Sequence, residues 1–177
     1  MATMIYLVEG TDQKVILCES VVRHVRLHRQ TRVADPESGG QLFAKVTATE
    51  ILITRATGPY KEDRVSRYRL TLNRWRQKAD IRKLFRAGLH FVGEWHTHPE
   101  PFPSPSSIDL ENIQECFVKS RHELSSFLML IVGTDESEQG LWFSQHNESQ
   151  FRQLRFMGAE ESGCNCALGK GSRSTRK

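Results

Sequence analysis

The chain predicts a mixed α/β domain with a central sheet between helices. Short runs rich in β-branched and apolar residues alternate with segments of helical period, and Gly, Pro, Asn and Ser clusters separate them. A length of 177 residues fits one domain with room for a real core. Hydrophobic residues make up 38% and charged residues 26%, the balance of an ordinary soluble protein. No internal repeat is present.

Ile5–Val8 and Lys14–Leu17 read as two strands around a turn at Gly10-Thr11-Asp12. Ser20 is then expected to cap a helix through about Gln30, with Val21, Val22 and Val25 on its apolar face. His24 and His28 lie four apart on it. No glutamate follows the first as in H-E-x-x-H, so they read as helix-surface residues. The segment 34–40, Ala-Asp-Pro-Glu-Ser-Gly-Gly, breaks the helix, with Gly39-Gly40 read as a turn. Gln41–Ala44 and Val46–Ala56 read as a strand pair. Tyr68, Leu70 and Leu72 alternate with polar residues, the pattern of a half-buried strand. Asn73 can cap a second helix carrying Ile81, Leu84 and Phe85, which Gly88 ends. Leu89–Thr97 is the expected central strand. Pro99, Pro101, Pro103 and Pro105 stiffen the next loop. Ser106 or Ser107 caps a helix to about Ser120, Ser125–Val132 is a buried strand, and Leu141–Ser144 and Gln150–Phe156 complete the fold.

The chemistry concentrates at Gly93-Glu94-Trp95-His96-Thr97-His98-Pro99 and at Asp109 beyond the proline loop. Two histidines two apart on a strand point to one side, with Cα atoms roughly 6–7 Å apart. Their imidazoles can converge on one ion, and Asp109 can add an oxygen ligand from the next element. Three protein ligands leave a fourth tetrahedral position for water, the mark of a catalytic zinc site. By itself, H-x-H is often two surface histidines of one strand. An aspartate ahead of an apolar helix often serves only the helix dipole.

The pattern H-x-H-x10-D with Pro105-Ser106 before the aspartate resembles the JAMM (MPN) metallopeptidase motif. That family also uses an upstream glutamate, and Glu37 in Pro36-Glu37-Ser38-Gly39-Gly40-Gln41-Leu42-Phe43 fits. The resemblance covers Glu37 to Asp109 and extends from the first strand to Phe156. It implies a JAMM/MPN fold, similar to the cytidine-deaminase sandwich. It implies Zn²⁺ held by His96, His98 and Asp109. Glu37 would be the catalytic general base and Ser106 the catalytic hydroxyl that stabilises the oxyanion. Ser106 read alone is a helix N-cap, and Glu37 read alone is a loop acid. Glu94 shares the side of His96 and reads as a supporting group, with Glu100 also flanking the histidines, whereas Trp95 alternates with the ligands and reads as core. Within the family the chain looks like a bacterial subgroup of mobile elements and anti-phage operons, including type II CBASS. There the resemblance implies an isopeptidase, similar to a deubiquitinase. Its protein substrate carries a flexible C-terminal tail, either a cyclic-oligonucleotide synthase or a ubiquitin-like conjugate.

Composition excludes several other classes. The N-terminus lacks the basic region and apolar length of a signal peptide, and the longest apolar run, Phe127–Val132, is far short of the ~20 residues of a membrane span. A cytoplasmic protein with no membrane partner is expected. Cys18 and Cys116 read as buried or partly buried thiols, and Cys164-Asn165-Cys166 lacks further ligands. A net charge of +4 is not that of a dedicated nucleic-acid binder. The excess sits in the Arg55–Arg86 region and in a Gly/Ser/Lys/Arg-rich tail. Residues 1–157 are therefore assigned to the metallopeptidase domain and 158–177 to a disordered basic tail. The alternatives are a peptidase trimming a small sulfur-carrier or ubiquitin-like precursor, a non-catalytic MPN scaffold, and a nucleic-acid module. Other zinc hydrolases fit worse, since H-E-x-x-H and the deaminase H-x-E with P-C-x-x-C are both missing.

Overall fold

A computed structural model describes residues 2–32, 34–66 and 69–160. Strands β1 (Thr3–Val8) and β2 (Lys14–Leu17) form an antiparallel pair that leads into helix α1 (Glu19–Leu27). Strands β3 (Gly39–Val46) and β4 (Glu50–Ala56) follow, then a small hairpin of β5 (Arg64–Ser66) and β6 (Arg69–Thr71). Helix α2 (Arg74–Arg86), strand β7 (His90–Thr97), helix α3 (Ser107–Lys119) and strand β8 (Phe127–Val132) make up the centre of the chain. A single 3₁₀ turn at Glu138–Gly140 precedes β9 (Leu141–His146) and β10 (Phe151–Glu160).

The mixed α/β class holds, but the sheet does not stay open. It closes as an eight-stranded barrel in the order β1-β10-β9-β8-β7-β3-β4-β2, because β2 pairs in parallel with β4. A second parallel pair, β7 with β8, sits on the far side. Closure leaves an inner and an outer face. The inner face buries Met4, Tyr6, Val8, Leu17, Leu42, Ile53, Val92, Trp95, Leu130 and Phe143 together with Val21, Val22 and Val25 of α1. Each of those valines contributes about 1.5–3 kcal/mol relative to an exposed side chain. The outer face of β8 offers Phe127, Met129 and Ile131 to Ile113 and Phe117 of α3. Covered on both sides, β8 is apolar throughout. Phe43 and Leu89 meet Leu84 of α2.

Several boundaries differ from the sequence expectation for physical reasons. Helix α1 starts at Glu19 behind Cys18, which forms no side-chain cap, and ends at Leu27 rather than Gln30. The expected strand 46–56 is split by a turn, in which the Glu50 amide donates to Thr47 Oγ1 at 3.0 Å and the Thr47 amide to Glu50 O at 2.8 Å. Gly39-Gly40 is not a turn but the start of β3. Strand β10 runs beyond Phe156 to Glu160. The Asn73 cap forms as expected, Oδ1 accepting from the Trp75 and Arg76 amides at 3.1 and 3.2 Å. Cys116 is a free thiol, but Cys18 is buried and disulfide-bonded, which corrects the expectation there. Tyr68, Cys164-Asn165-Cys166 and most of the basic tail lie outside the described residues. Among the described residues no helix is long and apolar enough to cross a membrane.

Candidate metal centre

A bulge in β7 decides where the histidines point. Leu42 of β3 pairs with Gly93, but the next residue, Phe43, pairs with Phe91, so Val92 is extra. Val92 faces the barrel interior. Strict alternation would then send 94, 96 and 98 inward as well. The extra residue shifts the phase, so Trp95 and Thr97 are buried inside and Glu94, His96 and His98 come to the outer face. Gly93 adopts φ 149°, and a Cβ there would lie 1.8 Å from Leu128 O. Only glycine fits the bulge.

On that face His96, His98 and Asp109 offer ligand atoms that all lie within 4.8 Å of one another. Among the described residues this is the cluster of three or more His, Cys, Asp or Glu able to hold a metal. His96 Nε2 is 3.4 Å from Asp109 Oδ1, and His98 Nε2 is 3.5 Å from Asp109 Oδ2. Neighbouring ligand atoms in tetrahedral zinc, with bonds near 2.0–2.2 Å, stand about 3.4 Å apart. The buried His96 Nε2 has no hydrogen-bond partner, the state of a nitrogen whose partner is an ion. Donor set and spacing therefore fit Zn²⁺.

His98 and Asp109 are held by ordinary structural devices. The His98 amide donates to Val132 O at 3.0 Å, which fixes the end of β7 against β8. The stiff loop after it is tied down where the Thr134 amide donates to Glu100 O at 2.9 Å. Ser106 caps α3 in a capping box: its amide donates to Asp109 Oδ2 at 2.7 Å, and its Oγ accepts from the Asp109 amide at 3.2 Å. The Ser106 hydroxyl also donates to Asp109 Oδ2 at 2.7 Å. Asp109 is thus a first-turn residue and a candidate ligand at once. The Ser106 hydroxyl is turned to that carboxylate.

Glu37 reaches the same face through β3. Gly39 pairs with His96, and the chain before it stays paired, since the Thr97 amide donates to Ser38 O at 2.9 Å. Continuing that register sets Glu37 opposite His98. A Cβ at Gly39 would meet Trp95 O at 2.5 Å and His96 Cβ at 3.2 Å, so glycine is what lets the two strands close up beside the cluster. Burial raises the Glu37 pKa, and His96 and His98 pull it partly back. Burial alone would also raise Asp109, but the imidazoles of His96 and His98, 3.4 and 3.5 Å from its oxygens, hold it well below the usual carboxylate range. Burial lowers His98, yet Asp109, Glu100 and Glu37 outweigh it and leave the imidazole raised.

Glu94, two residues before His96, accepts from Gln77 Nε2 of α2 at 3.1 Å, and burial pushes its pKa up to about 7. Glu100 Oε2 lies 3.6 Å from His98 Nδ1 on the side away from Asp109. His24 and His28 are not bare surface residues: His24 Nε2 is 2.7 Å from Gly58 O, and both rings pack near Trp95. Thr97, Gln30 and Gln77 also bear on the site, through hydrogen bonds that no local motif marks. Thr97 carried the one available signal, its place between two candidate ligands.

Comparison with known proteins agrees with this geometry. The family model described as prokaryotic homologs of the JAB domain matches residues 19–148. The chain is 28% identical over 151 residues to a CD-NTase/cGAS isopeptidase of Escherichia coli (strain TW11681), covering 84% of this chain and 92% of that protein. Proteins of the same description from Pseudomonas aeruginosa and Vibrio cholerae are 32% and 30% identical. They cover 69% and 71% of this chain, and 80% of each relative is matched. A solution structure of protein DSY2949 from Desulfitobacterium hafniense shares the fold, with TM-score 0.54 and 16% identity over 81% of this chain and 87% of that one. With the His-His-Asp cluster in place, the chain belongs to the prokaryotic JAB-domain family of JAMM/MPN metallopeptidases.

Proposed function

We propose that this protein is a cytoplasmic zinc isopeptidase that releases a CD-NTase-like synthase, or a ubiquitin-like protein, from an amine joined to its C-terminal tail. The observation that carries the reading is the His96–His98–Asp109 cluster, whose imidazole nitrogens lie 3.4 and 3.5 Å from the two carboxylate oxygens of Asp109, with Glu37 beside it. That the relatives are CD-NTase/cGAS isopeptidases supports the substrate class. The JAMM resemblance also relates the barrel to cytidine-deaminase-like sheets.

Zn²⁺ held by these three residues would polarise the scissile carbonyl and acidify a water. Glu37 takes the proton of that water as its oxygen adds to the carbonyl carbon. It returns the proton to the leaving nitrogen as the C–N bond breaks, so no proton is lost from the cycle. Ser106 keeps Asp109 oriented through its hydrogen bonds, and rotation of its exposed hydroxyl would offer the oxyanion a donor. Helix α2, whose Gln77 meets Glu94 of the ligand-bearing strand, exposes Arg74, Arg76, Lys78, Arg82, Lys83 and Arg86, a basic surface for an acidic donor body.

The test is a fusion of the synthase to a reporter through the synthase's last residue. Wild-type protein should cut at the junction. Glu37→Ala should keep zinc and lose about 10²–10⁴-fold in turnover. Equal cutting of fusions lacking the synthase tail would overturn the reading.

A further inference from the structure

Glu37 sits in a loop whose placement depends on a buried polar chain inside the barrel. Gln30, just beyond α1, is 2% exposed, and Thr97, between the two histidines, is 0% exposed. Gln30 Nε2 donates to Asp35 O at 2.9 Å, and Thr97 Oγ1 donates to Gln30 Oε1 at 3.0 Å. Thr97 Oγ1 in turn accepts from the Ser38 amide at 3.0 Å, while the Thr97 amide donates to Ser38 O at 2.9 Å. The Gln30 amide nitrogen and oxygen each have a partner, and the Thr97 hydroxyl both donates and accepts, so the orientation of the Gln30 amide and of the Thr97 hydroxyl is fixed.

The anchored residues, Asp35 and Ser38, bracket Pro36 and Glu37. Pro36 locks its own φ. The Asp35 carboxylate accepts from the Arg32 amide at 2.8 Å, which closes the outer end of the loop. Two consecutive residues pinned at both ends have little freedom left, and the Glu37 carboxylate inherits that restriction on the opposite, outer side. Proton transfer by a carboxylate needs placement to within about 0.5 Å. A buried glutamine with both ends satisfied at this point has no packing rationale that an aliphatic side chain would not serve better.

We propose that Gln30 and Thr97 are positioning residues that hold Glu37 in reach of the reacting water. The inference rests on the proton-carrier role of Glu37 proposed above. It implies that the effect of either residue on turnover passes through Glu37 and not through the metal ligands, although Thr97 lies between them.

The experiment is a double-mutant cycle on kcat with the synthase–reporter fusion, joined to an activity-free readout. Thr97→Val and Gln30→Met should each keep zinc and lose roughly tenfold or more in kcat at little change in KM. Thr97→Ser, which restores the hydroxyl, should recover to within about threefold. In the Glu37→Ala background, Thr97→Val should change the residual rate by less than about twofold. The same loss in both backgrounds would overturn the proposal, as would loss of zinc from Thr97→Val. The second readout is amide hydrogen exchange at Ser38 in the zinc-free protein. Exchange should quicken in Thr97→Val and Gln30→Met but not in Thr97→Ser, and unchanged exchange in all three also overturns it. If wild-type protein leaves the fusion intact, the function proposed above fails, while the exchange result still decides whether these two residues pin the loop.

Discussion

Replacing Glu94 by Gln should stabilise the zinc-free protein at alkaline pH and leave it unchanged at acid pH. Burial raises the Glu94 pKa from 4.5 to about 7. The folded state therefore holds a proton that the unfolded chain gives up. The stabilisation is fully present below pH 4.5 and is lost as pH rises through 7. Each decade of proton affinity is worth about 1.4 kcal/mol, so ionisation of Glu94 costs the fold about 3 kcal/mol. Glutamine removes that cost and keeps an oxygen for the Gln77 amide, whose present bond is 3.1 Å. Urea unfolding of both proteins at pH 4 and pH 8, without zinc, measures the difference. The expected gain is about 2–3 kcal/mol at pH 8 and near zero at pH 4. Zinc must be absent because a dication beside His96 would itself favour the carboxylate. A gain of equal size at both pH values, or a loss at pH 8, would refute the argument that the ionised carboxylate burdens the fold.

The purified protein should carry one zinc, and His96→Ala/His98→Ala should strip it; metal analysis of the double variant showing full retention would disprove the ligand assignment. Gly39→Ala should cost roughly 1–3 kcal/mol of stability and displace β3 from β7, because the new methyl would sit 2.5 Å from Trp95 O; an unchanged melting temperature would contradict the close approach. Lys78→Glu/Arg82→Glu should raise KM for the synthase fusion at low salt with kcat retained, and the difference should shrink as ionic strength grows; a salt-independent KM would remove α2 from substrate attraction.

What could be read from the chain was local. The H-x-H pair, the Ser106 cap and the Asn73 cap each occupy a few consecutive residues, and their physics is complete within that span. The closure of the barrel was not legible. It depends on Lys14–Leu17 lying parallel to Glu50–Ile53, and nothing in either run encodes the other as its partner. A glycine pair such as Gly39-Gly40 ordinarily signals a turn. Here the same lack of a side chain serves contact instead, with a Cβ at Gly40 falling 1.8 Å from Thr57 O. Gln30 gave no signal, since a polar residue at a helix end is expected in water. Its burial follows only once Asp35 and Thr97 arrive to satisfy it.

The extra residue at Val92 gives β7 two separate inheritances. Its outward positions answer to chemistry and its inward positions to the interior, and exchange of one set leaves the other intact. Ligands could be traded away while the barrel persisted as an inert block, so loss of catalysis and loss of fold are independent events for this strand. A change of length is another matter. Deleting one residue ahead of Glu94 would hand the interior two histidines and turn Trp95 out to water. Tolerance of this strand to mutation should therefore divide by kind, with side-chain exchanges survivable and single-residue deletions lethal.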